Sequence, residues 1–487
     1  MNRDPCARGL PDELLLRFFD DLSVEELCRL ARVSRKWRAI ALSHPTFWTK
    51  ASLREWELER GGLQCFLARM ARCPEADIIT EFDFDQAVPE EVLTAVSANL
   101  HRITSLRMSC NVDDWRVDRL DFAAPQLQSL EIQSWKAKPL VRATSQSRSI
   151  FAGFAPRLHS IKLSNTHFLL SLAPTLSFPS VRQVDITYSA QPDDVNSDIF
   201  ERVTALFPAV RTLRIELFNH TPGGPAERFF PSPLSETANR TMAGLDELKL
   251  CFSPACRETL RHLPLTEISK VELTNHVFNE VEIIPSLIPD GEFGVSYEGA
   301  VHPLTCRIVV FNFDKKGERR RVLEAPDGRS IWNCTRTMRA CLISSQLVAL
   351  SVDTRAWVTL LESFQVLPSL SVLRLVISTI EENEWAKGTA GSIGAIIHCP
   401  SLRTWVMDGY SYDASTERRL EMPCSVAHRF YDSVRFDQSQ STLTLRWVSL
   451  KPDGDDPWSF PFALVRVDDG TNISWFEAFA AQVLCAR

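Results

Sequence analysis

None of the thirteen cysteines stands in a CxxC pair. The closest pairs, Cys251/Cys256 and Cys334/Cys341, have neither zinc-ligand spacing nor a companion His cluster, so no tetrahedral zinc site is expected. An odd, scattered set is no disulfide framework either; it reads as reduced thiols used as small hydrophobes. No stretch approaches the roughly eighteen uninterrupted apolar residues of a spanning helix. Positive charge is in deficit, with Lys+Arg 54 against Asp+Glu 61 and a net charge of -7. That balance argues against a nucleic-acid binder relying on an overall positive field. Catalytic signatures are also missing: there is no Walker loop, no GxGxxG between a strand and a helix, no HExxH and no GxSxG. Gly223-Gly224 lies between prolines in "NHTPGGPAERFF", which is loop chemistry and not a phosphate cradle. The expectation is a chain with no enzyme activity, no cofactor, no metal, no nucleic-acid partner and no membrane segment.

What is present begins with "LPDELLLRFF", residues 10–19. Arg17 breaks its apolar run, Asp12 and Glu13 precede it, and Asp20 and Asp21 follow. A secretory h-region carries no such charges, so the reading is a cytosolic or nuclear protein. The N-x-S/T matches at Asn219, Asn239, Asn333 and Asn472 are then chance. Residues 10–48 accommodate three short helices. Pro11 suits a first helical position, and Asp12 and Glu13 favour the positive end of the helix dipole. Ser23 with Glu26 forms an S-x-x-E capping box that starts a second helix. Leu27 and Leu30, then Val33, Trp37 and Ile40, continue at helical spacing until Pro45 ends the run.

The first helix carries more apolar surface than one stripe needs. Leu14, Phe18 and Leu22 fall on one face, with Leu15 and Phe19 beside them. A unit of about forty residues buries only a modest part of its own surface. Either the rest of the chain covers the excess, or a partner groove does, in the helix-in-groove mode.

This segment resembles the F-box family, the adaptor-binding modules of cullin–RING ubiquitin ligases. Leu10-Pro11, Glu13, Leu14-Leu15, Phe18-Phe19 and Leu22 match the family's opening pattern, although an Ile is more usual at Phe18. Leu27, Leu30 and Val33-Ser34-Arg35-Lys36-Trp37 match its Leu-rich second helix and V-S-x-x-W signature, and Phe47-Trp48 its late aromatic. The resemblance implies docking to a Skp-family adaptor and, through it, to a cullin–RING ligase. Leu10, Pro11, Leu14, Leu15, Phe18, Phe19 and Leu22 would carry that contact, with Leu27, Leu30, Val33 and Trp37 shaping the helical unit.

After position 95 a second pattern recurs. Pro125-x-Leu127-x-x-Leu130-x-Ile132 is repeated at Pro156, Pro179, Pro208, Pro368 and Pro400, and versions without the Pro start at Ile103, Leu245, Ile268 and Leu347. The closing x-L-x-L has period two, which puts both apolar residues on one side of a short strand. The upstream Pro discourages helix and fixes the turn into that strand. Where spacing is regular it is about 23 to 35 residues, in the range of leucine-rich repeats or slightly longer. Stacked neighbours would supply the core that no single unit can form. The pattern resembles the irregular leucine-rich-repeat regions that follow many F-boxes.

Between Leu273 and Leu347 the pattern lapses. Residues 305–324 read as two strands joined at Lys316-Gly317, a solvated hairpin whose Arg319, Arg320 and Arg321 form a basic cluster. Residues 452–457, "PDGDDP", read as a loop, and the helix after it, with Trp475, Phe479 and Val483 on one face, as a solenoid cap. The expected architecture is α/β: an all-helical F-box over 1–50, a helical or linker segment over 51–95, an irregular leucine-rich-repeat-like solenoid over 96–447 containing the hairpin, and a C-terminal strand and capping helix over 448–487. The expected function is the substrate-recognition subunit of an SCF-type ubiquitin ligase that binds an unidentified target protein through the repeats. The alternative is an F-box/repeat interaction scaffold acting outside a ubiquitin ligase.

Overall fold

The computed structural model describes residues 11–22, 24–44, 47, 50–54, 62–72, 78–84, 88–110, 120–134, 150–164, 176–188, 199–217, 234–251, 260, 262–274, 292–299, 306–314, 317–325, 346–354, 357, 361, 364–378, 396–410, 420–437, 441–446, 448–451 and 464–468. The chain divides into two compact units, Met1–Leu245 and Asp246–Arg487.

The first unit opens with helices α1 (Asp12–Asp20), α2 (Val24–Leu30) and α3 (Arg35–Ser43). Pro11 is the N-cap of α1, one position earlier than its sequence suggested, with φ -57° and ψ 150°. Its fixed φ suits this extended conformation, and its carbonyl accepts from the N–H groups of Leu14 (3.2 Å) and Leu15 (3.3 Å). Ser34 caps α3 by accepting from the backbone N–H of Trp37 at 3.2 Å, which explains a Ser at position 34. Ser23 lies outside the described residues, so the capping box it was read to form with Glu26 does too.

A run of parallel strands follows: β1 (Lys50–Arg54), then α4 (Gly62–Arg72), β2 (Ile78–Phe84), α5 (Glu90–Asn99), β3 (Ile103–Cys110), β4 (Ser129–Ser134), β5 (Ser160–Ser164), β6 (Gln183–Tyr188), α6 (Ile199–Leu206), β7 (Thr212–Leu217) and α7 (Glu236–Ala243). Strands β1 to β7 pair each with the next, all in parallel. The ladder therefore starts at Lys50, well before position 96, and takes in the segment read as helix or linker. Without a proline turn, only the alternation in Glu81-Phe82-Asp83-Phe84 marks β2 in the sequence.

The proline motif has one geometry wherever it occurs. The carbonyl before each Pro accepts from the N–H two residues after it: Ala124 from Leu127, Ala155 from Leu158, Phe178 from Val181, Phe207 from Val210, Leu367 from Leu370 and Cys399 from Leu402, at 3.1–3.3 Å. Each is a four-residue turn with Pro at its second position, where the locked φ is pre-set. The first and fourth residues of all six turns are buried. The motif is thus longer by one apolar residue, the one before the Pro, than the sequence pattern showed. The two following apolar residues align from strand to strand: Leu106, Leu130, Ile161, Val184 and Leu213 in one row, Met108, Ile132, Leu163, Ile186 and Ile215 in the next. All ten are buried, each contributing about 1.5–3 kcal/mol as a fully buried side chain.

The second unit contains β8 (Glu247–Cys251), β9 (Lys270–Thr274), β10 (Phe293–Gly299), β11 (Cys306–Asp314), β12 (Gly317–Ala325), β13 (Leu347–Asp353), β14 (Val372–Ser378), β15 (Ile397–His398), β16 (Thr404–Tyr410), β17 (Leu420–Pro423), α8 (Cys424–Asp432), β18 (Val434–Arg435), β19 (Thr442–Arg446), β20 (Val448–Lys451) and β21 (Leu464–Asp468). Strands β11 and β12 form an antiparallel hairpin, but they do not stand free in solvent. The outer edge of β12 pairs in parallel with β9, and that of β11 pairs antiparallel with β10. Val309, Val310 and Phe311 are buried, so the hairpin belongs to the sheet. Parallel pairing resumes through β10, β13, β14, β16, β19 and β21. Gly294 sits opposite Phe311, and a Cβ there would lie 2.3 Å from its ring. The reading of Trp475, Phe479 and Val483 as a capping helix, and the loop 452–457, fall outside the described residues.

Candidate functional site

The helices α1, α2 and α3 pack around Leu15, Phe19, Leu27, Ile40, Ala41 and Phe47. Phe19 is the hub, with its ring 5.6 Å from that of Trp37 and 6.2 Å from that of His44. An ion pair, Lys36 Nζ to Asp12 Oδ1 at 2.8 Å, ties α1 to α3, and a hydrogen bond between His44 Nε2 and Asp20 Oδ1 at 3.1 Å ties it to the C-terminal end of α3. The Arg38 Nε donates to the Ala31 carbonyl at 3.0 Å and fixes the turn between α2 and α3.

This packing divides the apolar residues read from the sequence into three groups. Leu15, Phe19 and Leu27 are interior. Leu22, Leu30 and Trp37 are partly buried against that interior. Leu14 (50 % exposed), Phe18 (56 %) and Val33 (56 %) face outward, as does Pro11 at the head of α1. Leu10 lies outside the described residues. Leu14 and Phe18 are one helical turn apart, so they form a ridge on α1. The Phe18 ring also meets the edge of Trp37 at 6.5 Å, which braces the ridge from α3. Leu42, on α3, is a fourth exposed apolar residue, at 40 %. Its place in the hydrophobic tail "AIAL" was visible, but nothing there told its side from that of Ile40.

A small domain leaves single apolar residues exposed as a matter of course; this short helical unit exposes four. Among the described residues no group of three or more His, Cys, Asp or Glu is placed to hold a metal ion. No helix among them is long and apolar enough to cross a membrane. Cys399 illustrates the use of the thiols: burial pushes it up to about 12, so it stays protonated as an apolar filler.

Residues 7–54 match the F-box-like family model. Comparison with curated proteins gives no match. The chain therefore carries an F-box-like domain whose matched residues include all three helices and the first strand. Such a domain implies binding to a Skp-family adaptor, and F-box proteins are typically non-catalytic adaptors.

Proposed function

We propose that this protein is the substrate-recognition subunit of an SCF-type cullin–RING ubiquitin ligase, acting in the cytosol or nucleus. The observation that carries the proposal is the division within the F-box-like domain. Its interior is closed by Leu15, Phe19 and Leu27, yet Leu14, Phe18 and Val33 stay in solvent. In this reading the outward residues, with Pro11 and Leu10, meet the adaptor, while Leu15, Phe19, Leu22, Leu27, Leu30 and Trp37 hold the helices in the docking geometry.

The remainder of the chain would present the substrate. The six identical proline turns, each leading into a strand of a parallel ladder, support an irregular leucine-rich-repeat-like arrangement. Catalysis by such a receptor is proximity: a held substrate presents its lysines to the charged ubiquitin carrier at high local concentration, and this chain does no bond chemistry.

The test is capture of a Skp-family adaptor and its cullin by the full chain, with and without Leu14→Ala, Phe18→Ala and Val33→Ala combined. Expected is a ternary complex for the wild type and none for the triple variant, with folding retained by circular dichroism. Adaptor capture without cullin recruitment would favour a scaffold outside the ligase, and capture undiminished in the triple variant would remove the docking assignment.

A further inference from the structure

Four consecutive proline turns, 124–127, 155–158, 178–181 and 207–210, stack along the edge of the sheet from which β4, β5, β6 and β7 start. The residue after each turn continues the stack. The His159 N–H donates to the Gln128 carbonyl, Arg182 to that of His159, and Arg211 to that of Arg182, at 2.8–2.9 Å. Gln128, His159, Arg182 and Arg211 therefore stand side by side along this edge, and Arg157 is two residues from His159 on the second turn.

Residues 124–129, 155–160, 178–183 and 207–212 contain no Asp or Glu. Cations placed side by side repel, and their anchors do not offset the charge. Arg157 Nη1 donates to Gln126 Oε1 at 2.5 Å, Arg182 Nη1 to the carbonyls of Pro179 (3.0 Å) and Ala209 (2.9 Å), and Arg211 Nη1 to that of Gly244 (2.9 Å). An amide oxygen orients a guanidinium without neutralising it. Among the described residues no carboxylate is ion-paired with Arg157, His159 or Arg182, the exposed Asp121 on the adjoining segment included. Beyond Arg211 the corresponding position in the sequence is Asp246, so the uncompensated stretch is Arg157 and Arg182 with His159 between them.

Next to this stretch lies an apolar one. Phe122 is 59 % exposed and Phe154 53 %, the large apolar side chains left most open among the described residues of these repeats. Backbone hydrogen bonds join their segments, from the Phe151 N–H to the Leu120 carbonyl at 2.6 Å and from the Ala124 N–H to the Phe154 carbonyl at 3.0 Å. Phe154 immediately precedes the turn that carries Arg157. The chain reaches it through a strained left-handed turn, Phe151 (φ 54°), Ala152 (φ 49°) and Gly153 (φ 71°), of which only the last has glycine's freedom. Burial of Phe151, whose ring lies 6.5 Å from that of Phe178, accounts for the turn. It does not account for a second aromatic at 154, whose ring stands in water. Open aromatic rings beside arginines have the composition of an interface core.

We propose that this edge docks an extended segment of a partner protein in which an apolar side chain stands next to an Asp or Glu. The apolar group packs on Phe122 and Phe154, and the carboxylate is met by Arg157 and Arg182. The sign of the edge selects a carboxylate, and Arg182, anchored through Nη1 alone, keeps Nε and Nη2 for charge-assisted hydrogen bonds to it. That the segment belongs to a ligase substrate rests on the function proposed above; the docking surface itself does not.

The probe is a labelled hexapeptide of alternating glutamate and phenylalanine, titrated against the full chain by fluorescence anisotropy. Its controls carry glutamine or lysine in place of glutamate, or serine in place of phenylalanine. Expected is binding of the parent peptide, about tenfold weaker binding of the glutamine and serine versions, and none of the lysine version. Phe122→Ser with Phe154→Ser should weaken the parent about tenfold and leave the serine version within about twofold, since that probe has no ring to lose. Arg157→Glu with Arg182→Glu should reverse the preference, so that the lysine version binds more tightly than the parent, a gain that misfolding cannot imitate. Absence of parent binding, equal binding of the glutamate, glutamine and lysine versions, or an unreversed preference in the Arg157→Glu, Arg182→Glu variant overturns the proposal. So does a dimer in sedimentation that Phe154→Ser dissociates, which would make the occupant a second copy of this chain. Adaptor capture by the same variants reports separately on the ligase reading, since these residues lie outside the F-box-like match.

Discussion

Phe18 and Phe19 are adjacent in sequence and identical in chemistry, but the structure gives them opposite exposures, and on the proposed docking role their alanine variants should separate cleanly. Phe19 is fully buried between Trp37 and His44, so Phe19→Ala leaves a cavity and should destabilise the domain by about 3–5 kcal/mol. Phe18 is 56 % exposed and keeps an edge contact with Trp37 at 6.5 Å. Losing that aromatic pair costs about 0.5–1.5 kcal/mol, and the exposed part of the ring adds little. Against the adaptor the order reverses. A ring closed off at an interface centre contributes about 2 kcal/mol or more, so Phe18→Ala should weaken adaptor affinity about thirtyfold. The assays are denaturant unfolding of the full chain followed by Trp fluorescence, and adaptor binding by biolayer interferometry under conditions where both variants are folded. Equal destabilisation by the two substitutions, or adaptor binding by Phe18→Ala within about twofold of wild type, would refute the division between interior and docking surface.

Three further outcomes are expected. Gly294→Ala drives a methyl group into the Phe311 ring and should lower the stability of the second unit by about 1–3 kcal/mol; an unchanged unfolding midpoint would show that the ring can withdraw. Mass-spectrometric mapping after a brief iodoacetamide pulse should find Cys65 labelled and Cys251, Cys399 and Cys424 protected until the chain is unfolded, as their exposure and the raised Cys399 thiol require. Asp185 is raised above its ordinary 3.8, chiefly by burial, which outweighs the opposing pull of Arg214. The folded chain then holds this proton more tightly than the unfolded chain, so stability falls as the pH rises through that window. Asp185→Asn should therefore be the more stable protein at neutral pH, with the gap narrowing as the pH is lowered toward 3.8; a wild-type advantage at neutral pH would show the Arg214 pairing to dominate.

How much of this was legible in the sequence depended on how local its cause is. Pro156, Leu158, Ile161 and Leu163 announce a turn and strand because every interaction that makes them so lies within eight residues. Ala155 and Phe178 before their prolines gave no such signal, since their burial comes from packing against other elements. The hairpin strands could be read from alternation, but not their outer partners: Lys270 meets Arg320 across fifty residues of chain. Strand β1 has little signal of its own, because "KASLR" has no proline turn and only one strongly apolar residue. In the candidate site, helical spacing put Leu14, Leu15, Phe18 and Phe19 in one wide sector. Which pair is interior was decided by the side on which α3 packs, and no periodicity within α1 contains that.

The measurement that bears most directly on the proposed role is a calorimetric titration of the full chain with a Skp-family adaptor at several temperatures. Expected is a one-to-one complex with a negative heat-capacity change, as burial of Leu14, Phe18 and Val33 requires, and loss of that complex on Leu14→Ala with Phe18→Ala. No heat of binding and no complex, at concentrations where both proteins are folded, would contradict the adaptor-docking function.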